Sequence, residues 1–357
     1  MTPLGLDIAR LIALEGPISL ERYMGLALGD PRYGYYMTRD PLGAQGDFTT
    51  SPEISQMFGE LIGLWCADLW LRMGQPEKLS LVELGPGRGT LMQDVLRATK
   101  NVIGLHRALS VTLVEMSPVL RETQRQTLVS CGVPVDWHED ISALPEQPTL
   151  VLANEFFDAL PVRHYQRVHQ HWHQRMVGLD TDNHLAFGLA AEPEHALKLE
   201  APEGTLLEIG LIGDRIMADL SAHIARFGGA GLVIDYGHTR SGFGETLQAM
   251  KHHAFTGPLD APGEADLTTH VNFERLAQMA TAQGLIVAGS TTQARFLAGL
   301  GIVERTARLI KSAAPEQAKD VEAALVRLTD PSEKGMGSLF KVLGLRHPDM
   351  PEPAGFN

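Results

Sequence analysis

The chain has 357 residues, of which 43 are acidic and 30 basic, giving a formal net charge of −13. Its 44% hydrophobic and 20% charged residues exclude collagen-like, coiled-coil and wholly disordered chains, and the length suits one elaborated domain or two ordinary ones. The sequence has no run of Lys and Arg that would bind phosphates, so we expect no nucleic acid partner. A basic protein segment is a more suitable partner for a chain with this negative charge.

The N-terminal segment predicts two helices. Apolar residues recur at helical spacing over 6–14, Gly16-Pro17 ends that helix, and Ser19 is placed to cap a second one that runs to about residue 28. The segment contains Asp7 and Glu15 and lacks the basic or Arg/Ser-rich character of a leader peptide. Two cysteines form no disulfide framework and no apolar run is long enough to cross a bilayer, so we expect a cytoplasmic protein without a membrane span.

The next segment predicts a long loop followed by a long helix. Residues 29–51 are rich in Gly, Asp and Tyr, which forbids long regular structure. Ser51-Pro52 has the pattern of a helix cap and first helical residue, and apolar residues then follow at helical spacing to Leu69. This helix therefore presents a buried stripe to a core.

From residue 79 onward, short apolar runs alternate with helical patterns. Such alternation is typical of a doubly wound, mostly parallel sheet. A late apolar run at 339–345 predicts a further strand, which we expect to close the sheet. The predicted strands are 79–84, 111–115, 133–137, 149–153 and 231–234, with helices at about 90–96 and 119–128.

Two segments interrupt the alternation. Residues 162–189 have period-2 apolar residues and a turn signal at 180–183, which predicts a β-hairpin or small inserted sheet. Residues 241–270 are rich in Gly, Pro and His and predict a loop or lid. The predicted division is N-terminal helices and a cofactor-covering loop at 1–77, a core at 78–346 with insertions at about 162–200 and 241–270, and a frayed tail at 347–357.

The most informative run is Leu-Val-Glu-Leu-Gly-Pro-Gly-Arg-Gly-Thr at 81–90, where a strand meets a helix through alternating glycines. A dinucleotide fingerprint beginning at Gly85 requires glycine at position 90, but that residue is Thr90. The G-x-G-x-G spacing of Gly85, Gly87 and Gly89, preceded by Glu83, is typical of S-adenosylmethionine (SAM) sites. A carboxylate there suits an ammonium and a sulfonium and repels phosphates.

Polar residues at the other strand ends extend this SAM hypothesis. Glu115 ends the second strand and can bind both ribose hydroxyls, while Asp140 follows the third strand and is placed to meet the adenine amino group. Asn154 ends the fourth strand, at the edge where doubly wound folds bind ligands. Thr50 and Ser51, together with Asp47 and Thr49, offer short polar groups for the methionyl end.

Three alternating histidines raise the question of a metal. His169, His171 and His173 share one face if they lie on a strand, and three imidazoles are able to hold zinc. Val168 and Trp172 show that the strand buries its other face, which leaves the histidines in solvent. We therefore predict no metal site.

These features fit a known family. The chain resembles the MidA family of SAM-dependent methyltransferases, whose mitochondrial member helps assemble respiratory complex I. The matching runs span nearly the whole chain in order: 33–36 (YGYY), 46–54 (GDFTTSPEI), 58–61 (FGEL), 83–90 (ELGPGRGT), 114–118 (VEMSP), 154–161 (NEFFDALP), 234–237 (IDYG), 266–271 (DLTTHV) and 336–341 (MGSLFK).

The resemblance implies a class I, Rossmann-like methyltransferase fold and symmetric dimethylation of an arginine on a complex I subunit. A guanidinium becomes a better nucleophile when carboxylates fix its plane and localise its charge. Our catalytic candidates are Glu155 and Asp158, whose spacing points both the same way if that turn is helical, and then Asp235. The alternative is that Asp158 caps its own turn while Asn154 orders the loop.

Other functions remain open. The same core suits a small-molecule methyltransferase. A sealed pocket would favour that function, whereas a cleft wide enough for an extended peptide would argue against it. A SAM-binding assembly chaperone without essential catalysis is a second alternative, and a nicotinamide dehydrogenase is a distant third that Thr90 disfavours. The oligomeric state is not encoded in any pattern that we recognise.

Overall fold

The computed structural model describes residues 1–39 and 50–356. Up to residue 128 the elements are α1 (Pro3–Glu15), β1 (Ile18–Ser19), α2 (Leu20–Gly29), α3 (Tyr35–Thr38), α4 (Ser51–Ile54), α5 (Gln56–Arg72), β2 (Leu79–Leu84), α6 (Thr90–Thr99), α7 (Leu105–Ala108), β3 (Leu109–Val114) and α8 (Pro118–Leu128).

The middle of the chain is richer in strands. Its elements are β4 (Val135–His138), a 3₁₀ turn (Ile141–Ala143), β5 (Thr149–Asn154), β6 (Arg163–Val168), β7 (His171–Leu179), β8 (Leu185–Pro193), β9 (Leu206–Ile209), α9 (Leu211–Phe227), β10 (Gly229–His238), β11 (Gln248–Lys251), β12 (Ala254–Thr256), β13 (Asp266–Thr268) and β14 (Val271–Asn272).

The last elements are helical except for two strands. They are α10 (Phe273–Ala282), β15 (Ile286–Thr292), α11 (Gln293–Gly299), α12 (Ile302–Ser312), α13 (Pro315–Thr329), α14 (Met336–Leu339) and β16 (Phe340–Arg346). None of the helices in the described ranges is long and apolar enough to cross a membrane.

The chain divides into two compact units. Unit 1 comprises Met1–Phe48, Asp158–Arg215 and Arg240–His270, and unit 2 comprises Thr49–Phe157, Ile216–Thr239 and Val271–Asn357. Helices α4 and α5 therefore belong with the large sheet, whereas the predicted division at residue 77 grouped them with the N-terminal helices.

Unit 2 contains a large, mostly parallel α/β sheet, as the sequence predicted. Its strand order is β15-β16-β10-β5-β2-β3-β4, with β14 beside β10. Strands β10, β5, β2, β3 and β4 are parallel to one another, and β16 is antiparallel to both β10 and β15. All six residues of β2 are buried, including Ser80 and Glu83, as expected for a sheet of this kind with helices on both faces.

Two sequence expectations for unit 2 were wrong. The late strand β16 lies inside the sheet, between β10 and β15, and β15, which forms the edge on that side, was not predicted from the sequence. The long helix after Ser51 is two helices, because Ser55 has an extended backbone (φ −162°) and its Oγ accepts a hydrogen bond from Met57 N as the cap of α5.

The tail is packed rather than frayed. Met350 is buried, and the Phe356 ring lies 5.3 Å from the Phe296 ring, between centroids. Phe356 also covers Gly344 of β16, where an added Cβ would lie 2.6 Å from the ring. This aromatic contact fixes the end of the chain on the sheet.

Unit 1 contains two smaller sheets and a helical core. One sheet has the order β1-β7-β6-β9 with β8 paired to β7, which confirms the predicted inserted sheet. Helices α1 and α2 form as predicted, with the Ser19 Oγ accepting from Arg22 N at the start of α2. The 241–270 segment was predicted as a loop or lid, but it forms the second sheet, β12-β11-β13.

Candidate cofactor and catalytic site

The glycine turn joins β2 to α6 at the carboxyl edge of the large sheet. Gly85, Gly87 and Gly89 all have left-handed backbones, with φ of 58°, 54° and 82°. Such φ values are strained for residues that carry a Cβ. Gly85 N donates to the Val114 carbonyl of the neighbouring strand at 3.0 Å, so the turn is held against β3. The structure therefore gives a physical reason for all three glycines.

The Gly85→Ala variant tests the close approach at this turn. A Cβ at position 85 would lie 2.9 Å from Phe156 Cδ2, whereas one at Gly132, with φ 76°, meets nothing within 4 Å. We expect Gly132→Ala to lower the free energy of unfolding by about 1 kcal/mol from backbone strain alone, and Gly85→Ala by roughly 2–3 kcal/mol. Chemical denaturation of both variants measures the difference. Equal decreases in the free energy of unfolding would show that the Phe156 ring moves aside without an energetic penalty.

Glu83 ends β2 just before the glycine turn and is nearly inaccessible to solvent, with 3% exposed. Its Oε2 is buried and accepts no hydrogen bond from the described parts of the chain. Burial, together with the nearby Glu115 carboxylate, raises the pKa of Glu83 to about 8. The edge of the sheet thus holds a buried carboxyl group suited to a cationic ligand.

Glu115 follows β3 and is 9% exposed. Its Oε1 accepts from Ser117 N at 2.8 Å and its Oε2 from Gln124 Nε2 at 3.2 Å. Burial raises the pKa of Glu115, although these two hydrogen bonds favour the ionised form. Each carboxylate oxygen can accept a further hydrogen bond, so the predicted contact with a diol is compatible with these partners.

Gln124 is a residue that the sequence analysis missed. It lies on α8 and is fully buried, and its Nε2 also donates to the Gly87 carbonyl at 2.7 Å. The only available signal was its position on the apolar stripe of α8, between Leu120 and Leu128. A polar residue there breaks the helical pattern and marks a buried hydrogen-bonding group.

Asp140 lies in a different environment from the other acids. It is exposed, and its Oδ1 accepts from Ser142 N at 2.8 Å as the cap of the 3₁₀ turn. The hydrogen bonds with Ser142 lower the pKa of Asp140. Its predicted contact with adenine stays a prediction, and the structure gives it a local capping role in addition.

The turn after β5 has an unusual backbone. Glu155 has φ 50°, in the left-handed region that side chains rarely adopt, and its N–H donates to the Ile234 carbonyl at 2.9 Å. Its Oε1 accepts from Ser51 N at 3.0 Å and from Asn154 Nδ2 at 3.1 Å. Backbone strain of this kind is enriched at functional sites. The carboxylate is thus fixed by two donors.

The neighbouring candidates are held differently. Asn154 Oδ1 is buried and has no hydrogen-bond partner within residues 1–39 and 50–356. Asp235 is fully buried in β10, where Oδ2 accepts from Phe157 N at 3.1 Å and Oδ1 from Tyr236 N at 2.9 Å. Asp235 therefore fastens the turn after β5 to the adjacent strand.

Asp158 lies in unit 1, whereas Glu155 lies in unit 2. Residues 155–160 form bends and turns, so the helical turn on which their common direction depended is not present there. Asp158 is 5% exposed. The Tyr36 hydroxyl donates to Asp266 Oδ1 at 2.8 Å, and burial, with Asp266 and Asp158 nearby, raises the pKa of Tyr36 well above its ordinary value.

Thr50 and Ser51 lie at the start of α4. Thr50 caps this four-residue helix through its backbone only, and the buried Ser51 donates its N–H to Glu155 and lies with Oγ 3.4 Å from Gln293 Oε1. The predicted contributions of Asp47 and Thr49 lie outside the described residues. The proposed cofactor contacts of Thr50 and Ser51 remain predictions.

Helix α4 also contacts the glycine turn, through a residue that the sequence did not single out. Glu53 Oε1 accepts from Thr90 Oγ1 at 2.5 Å, and its Oε2 lies 3.9 Å from Arg88 NH1. Thr90 is the residue that replaces the last glycine of a dinucleotide fingerprint. Its hydroxyl therefore fastens the turn to α4.

The histidines are placed close to expectation, with one difference. His169 lies in the tight turn between β6 and β7, with φ 47°, rather than on the strand, and His171 is exposed. His173 Nδ1 lies 2.9 Å from the Ala190 carbonyl. Among the described residues, the three groups close enough to share an ion are the exposed Asp180, Asp182 and His184. Exposed acidic groups of this kind are common without a metal.

The residues at the carboxyl edge fit SAM. Glu83 Oε2 and Asn154 Oδ1 are buried acceptors, and neither has a hydrogen-bond donor among the described residues. An ammonium group could donate to both oxygens. The Glu115 carboxylate contributes to the raised pKa of Glu83, and a positive charge nearby would offset that repulsion. A phosphorylated ligand would add negative charge to this edge, so the acids favour a cationic one.

Comparisons with known proteins agree with this chemistry. Residues 61–291 match the family described as "Putative S-adenosyl-L-methionine-dependent methyltransferase". The chain is 38% identical to the protein arginine methyltransferase NDUFAF7, mitochondrial, of Danio rerio, over 92% of this chain and 83% of the relative. It is 36% identical to the protein of the same name in Homo sapiens, over 97% of this chain and 83% of the relative.

A solved structure is similar along its whole length. The crystal structure of a "likely methyl transferase" from Burkholderia thailandensis, bound to S-adenosyl-homocysteine, has 28% sequence identity to this chain and a TM-score of 0.84. The similarity covers 99% of this chain and 94% of that one. The cytoplasmic location that we predicted from the sequence is wrong, because the curated relatives from zebrafish, fly and human are named mitochondrial proteins.

Proposed function

We propose, from the premise that this chain belongs to the S-adenosyl-L-methionine-dependent methyltransferase family matched by residues 61–291, that it methylates an arginine side chain of a protein. The enzyme class and the cofactor follow from the family. The observation that carries the arginine substrate is the likeness, over nearly the whole chain, to relatives named protein arginine methyltransferases.

Residues at the different strand ends bind different parts of the cofactor. SAM would supply an activated methyl group, whose bond to the sulfonium sulfur breaks as a nucleophile attacks in line, with S-adenosyl-homocysteine as the leaving group. Glu83 would hold the methionyl ammonium, and Glu115, whose two hydrogen bonds favour its ionised form, would hold the ribose hydroxyls. Asp140 binds the adenine amino group, and Asn154 orients the ligand beside the turn after β5. Thr50 and Ser51 remain candidates for the methionyl carboxylate.

The catalytic task is to prepare a guanidinium, which is a poor nucleophile because its charge is delocalised. A fixed carboxylate localises that charge on the far nitrogens and leaves the attacking nitrogen richer in electrons. We assign this role to Glu155, whose carboxylate is held by Ser51 N and Asn154 Nδ2. Asp158 is the second candidate, and Asp235 positions the turn through Phe157 N.

The proposed target is an arginine on a subunit of respiratory complex I, with symmetric dimethylation as the product. Its support is the MidA resemblance carried by the runs at 46–54 and 154–161. The acidic net charge of −13 suits a basic target segment. A mitochondrial location is consistent with such a partner.

Transfer of a labelled methyl group tests the proposal. The purified enzyme and labelled SAM are added to a mitochondrial lysate from cells lacking this gene, and labelled proteins are identified by mass spectrometry. We expect one labelled arginine on a complex I subunit, carrying two methyl groups on different nitrogens. Label confined to small metabolites would contradict a protein substrate, and label on a residue other than arginine would contradict the arginine assignment. The Glu155→Gln variant provides the background.

A further inference from the structure

Gln124 is a buried amide on a polar helix. It is fully inaccessible to solvent, although the helix around it, α8, carries charged and polar side chains at most other positions. Burial of an unbonded amide is unfavourable by several kcal/mol, so such a side chain persists only when its hydrogen bonds are satisfied. Its partners therefore indicate what it does.

The partners come from three successive parts of the carboxyl edge. Nε2 donates to the Gly87 carbonyl at 2.7 Å and to Glu115 Oε2 at 3.2 Å, and Oε1 accepts from Trp137 Nε1 at 2.9 Å. An indole N–H only donates, whereas a carbonyl and a carboxylate only accept. The amide therefore has a single orientation that satisfies all three partners, which removes the usual ambiguity between its oxygen and nitrogen.

Each partner belongs to a segment of the cofactor site. Gly87 is in the glycine turn, Glu115 is the proposed ribose ligand, and Trp137 is in β4, which leads to the proposed adenine contact. Two of them, the Gly87 carbonyl and the Glu115 carboxylate, present oxygens that repel each other unless a donor lies between them. The amide of Gln124 supplies that donor. The packing adds to this, since a Cβ at Gly89 would lie 3.5 Å from Gln124 Cγ.

We infer that Gln124 is a positioning residue that fixes the glycine turn, the Glu115 carboxylate and strand β4 at the spacing that SAM requires. It acts on cofactor affinity through Gly87 and Glu115 and does not touch the reacting atoms. The inference depends on cofactor binding, which the family gives, and not on the identity of the methylated substrate.

The first experiment replaces Gln124 with Met, which keeps its length and removes its hydrogen bonds. Calorimetry measures the affinity for S-adenosyl-homocysteine, and steady-state kinetics measure KM for SAM and kcat separately. We expect both the Kd and the KM to rise roughly 30- to 100-fold while kcat stays within about threefold, because hydrogen bonds to a charged group are lost and the reacting atoms are unaffected. The matched control is Gln126→Met, two residues along the same helix and exposed.

A second variant, Gln124→Glu, gives a pH readout that a purely structural role does not produce. Its carboxyl group donates a hydrogen bond to Gly87 or Glu115 only while protonated, and it adds a like charge beside Glu115 once ionised. We expect the affinity of this variant, relative to the wild type, to fall as the pH rises. A ratio that is constant with pH contradicts the inference.

Trp137→Phe completes a double-mutant cycle that remains informative if the Gln124 variants are less stable. This change removes the donor to Gln124 Oε1, so we expect it to lower the affinity of the wild type by roughly 3- to 10-fold. In the Gln124→Met background, the same change should have no further effect on affinity. Full additivity, or an affinity of Gln124→Met within threefold of the wild type, overturns the inference. Wild-type binding of S-adenosyl-homocysteine without any arginine methylation would instead refute the proposed substrate and leave this inference standing.

Discussion

Replacing Glu83 with Gln is expected to weaken the binding of SAM and S-adenosyl-homocysteine by roughly 100-fold or more. The variant keeps the shape of the buried side chain but loses the charge that we assign to the methionyl ammonium, and charge-assisted hydrogen bonds are about twice as strong as neutral ones. Calorimetric titration of S-adenosyl-homocysteine measures the loss. The matched control is Glu77→Gln, the same change at an exposed position just before β2.

The same variant is expected to stabilise the protein without ligand at alkaline pH. Folding raises the pKa of Glu83 from 4.5 to about 8, so the folded state holds a proton that the unfolded state releases. This contribution to stability is complete below the unfolded pKa and is lost as the pH rises through the folded pKa. The free energy of unfolding of the wild type should therefore fall by up to about 1.4 kcal/mol per pH unit between these two values, relative to Glu83→Gln.

Ligand binding should reverse this proton uptake. An ammonium beside Glu83 favours the ionised carboxylate, so we expect the wild type to release close to one proton on binding at neutral pH. Calorimetry in buffers of different ionisation enthalpy counts that proton. Proton release that is unchanged in Glu83→Gln would assign the titration to another group and remove Glu83 from the ammonium site.

Replacing Glu155 with Gln is expected to reduce kcat by roughly 100-fold or more while the affinity for S-adenosyl-homocysteine changes by no more than a few-fold. The amide oxygen of Gln still accepts the hydrogen bonds from Ser51 N and Asn154 Nδ2, so the turn keeps its shape and the negative charge alone is lost. Methylation of the protein substrate under saturating SAM measures the effect.

The control for Glu155 lies at the opposite end of the same strand. Glu146→Gln removes an exposed carboxylate just before β5 and should leave kcat unchanged. A comparison with Glu155→Ala then isolates the structural role, since Ala also loses the acceptor for Ser51 N and should lower the free energy of unfolding by about 1–3 kcal/mol. Full activity in Glu155→Gln would make Glu155 a structural residue and move the catalytic role to Asp158.

The sequence predicted the central strands because β2, β5 and β10 are mostly apolar, which is typical of strands covered by helices on both faces. It missed β15, whose sequence IVAGSTT is half-exposed and contains Gly289, so no apolar run or clear alternation marks it. The short strands β11 to β13 were hidden for a related reason. Each has three or four residues between turns, and their pairing is specified by long-range contacts rather than by local pattern.

The site residues could be predicted where their position follows from the order of the strands. Parallel strand ends share one edge, so Glu83, Glu115 and Asn154 could be assigned to it from the order of the strands. The partners of each carboxylate could not be assigned. Gln124 reaches Gly87 across 37 positions of the sequence, and Ser51 reaches Glu155 across 104, and no local pattern encodes such pairs.

The interior position of β16 has a consequence for biogenesis. During translation, β10 and β15 leave the ribosome long before residues 340–346, yet each must wait for that strand to fill the gap between them. Until then both present unpaired backbone edges, which are templates for aggregation. Loss of residues 340–346 should therefore leave β10 and β15 without their shared partner, and nascent chains should depend on chaperones until this strand has emerged.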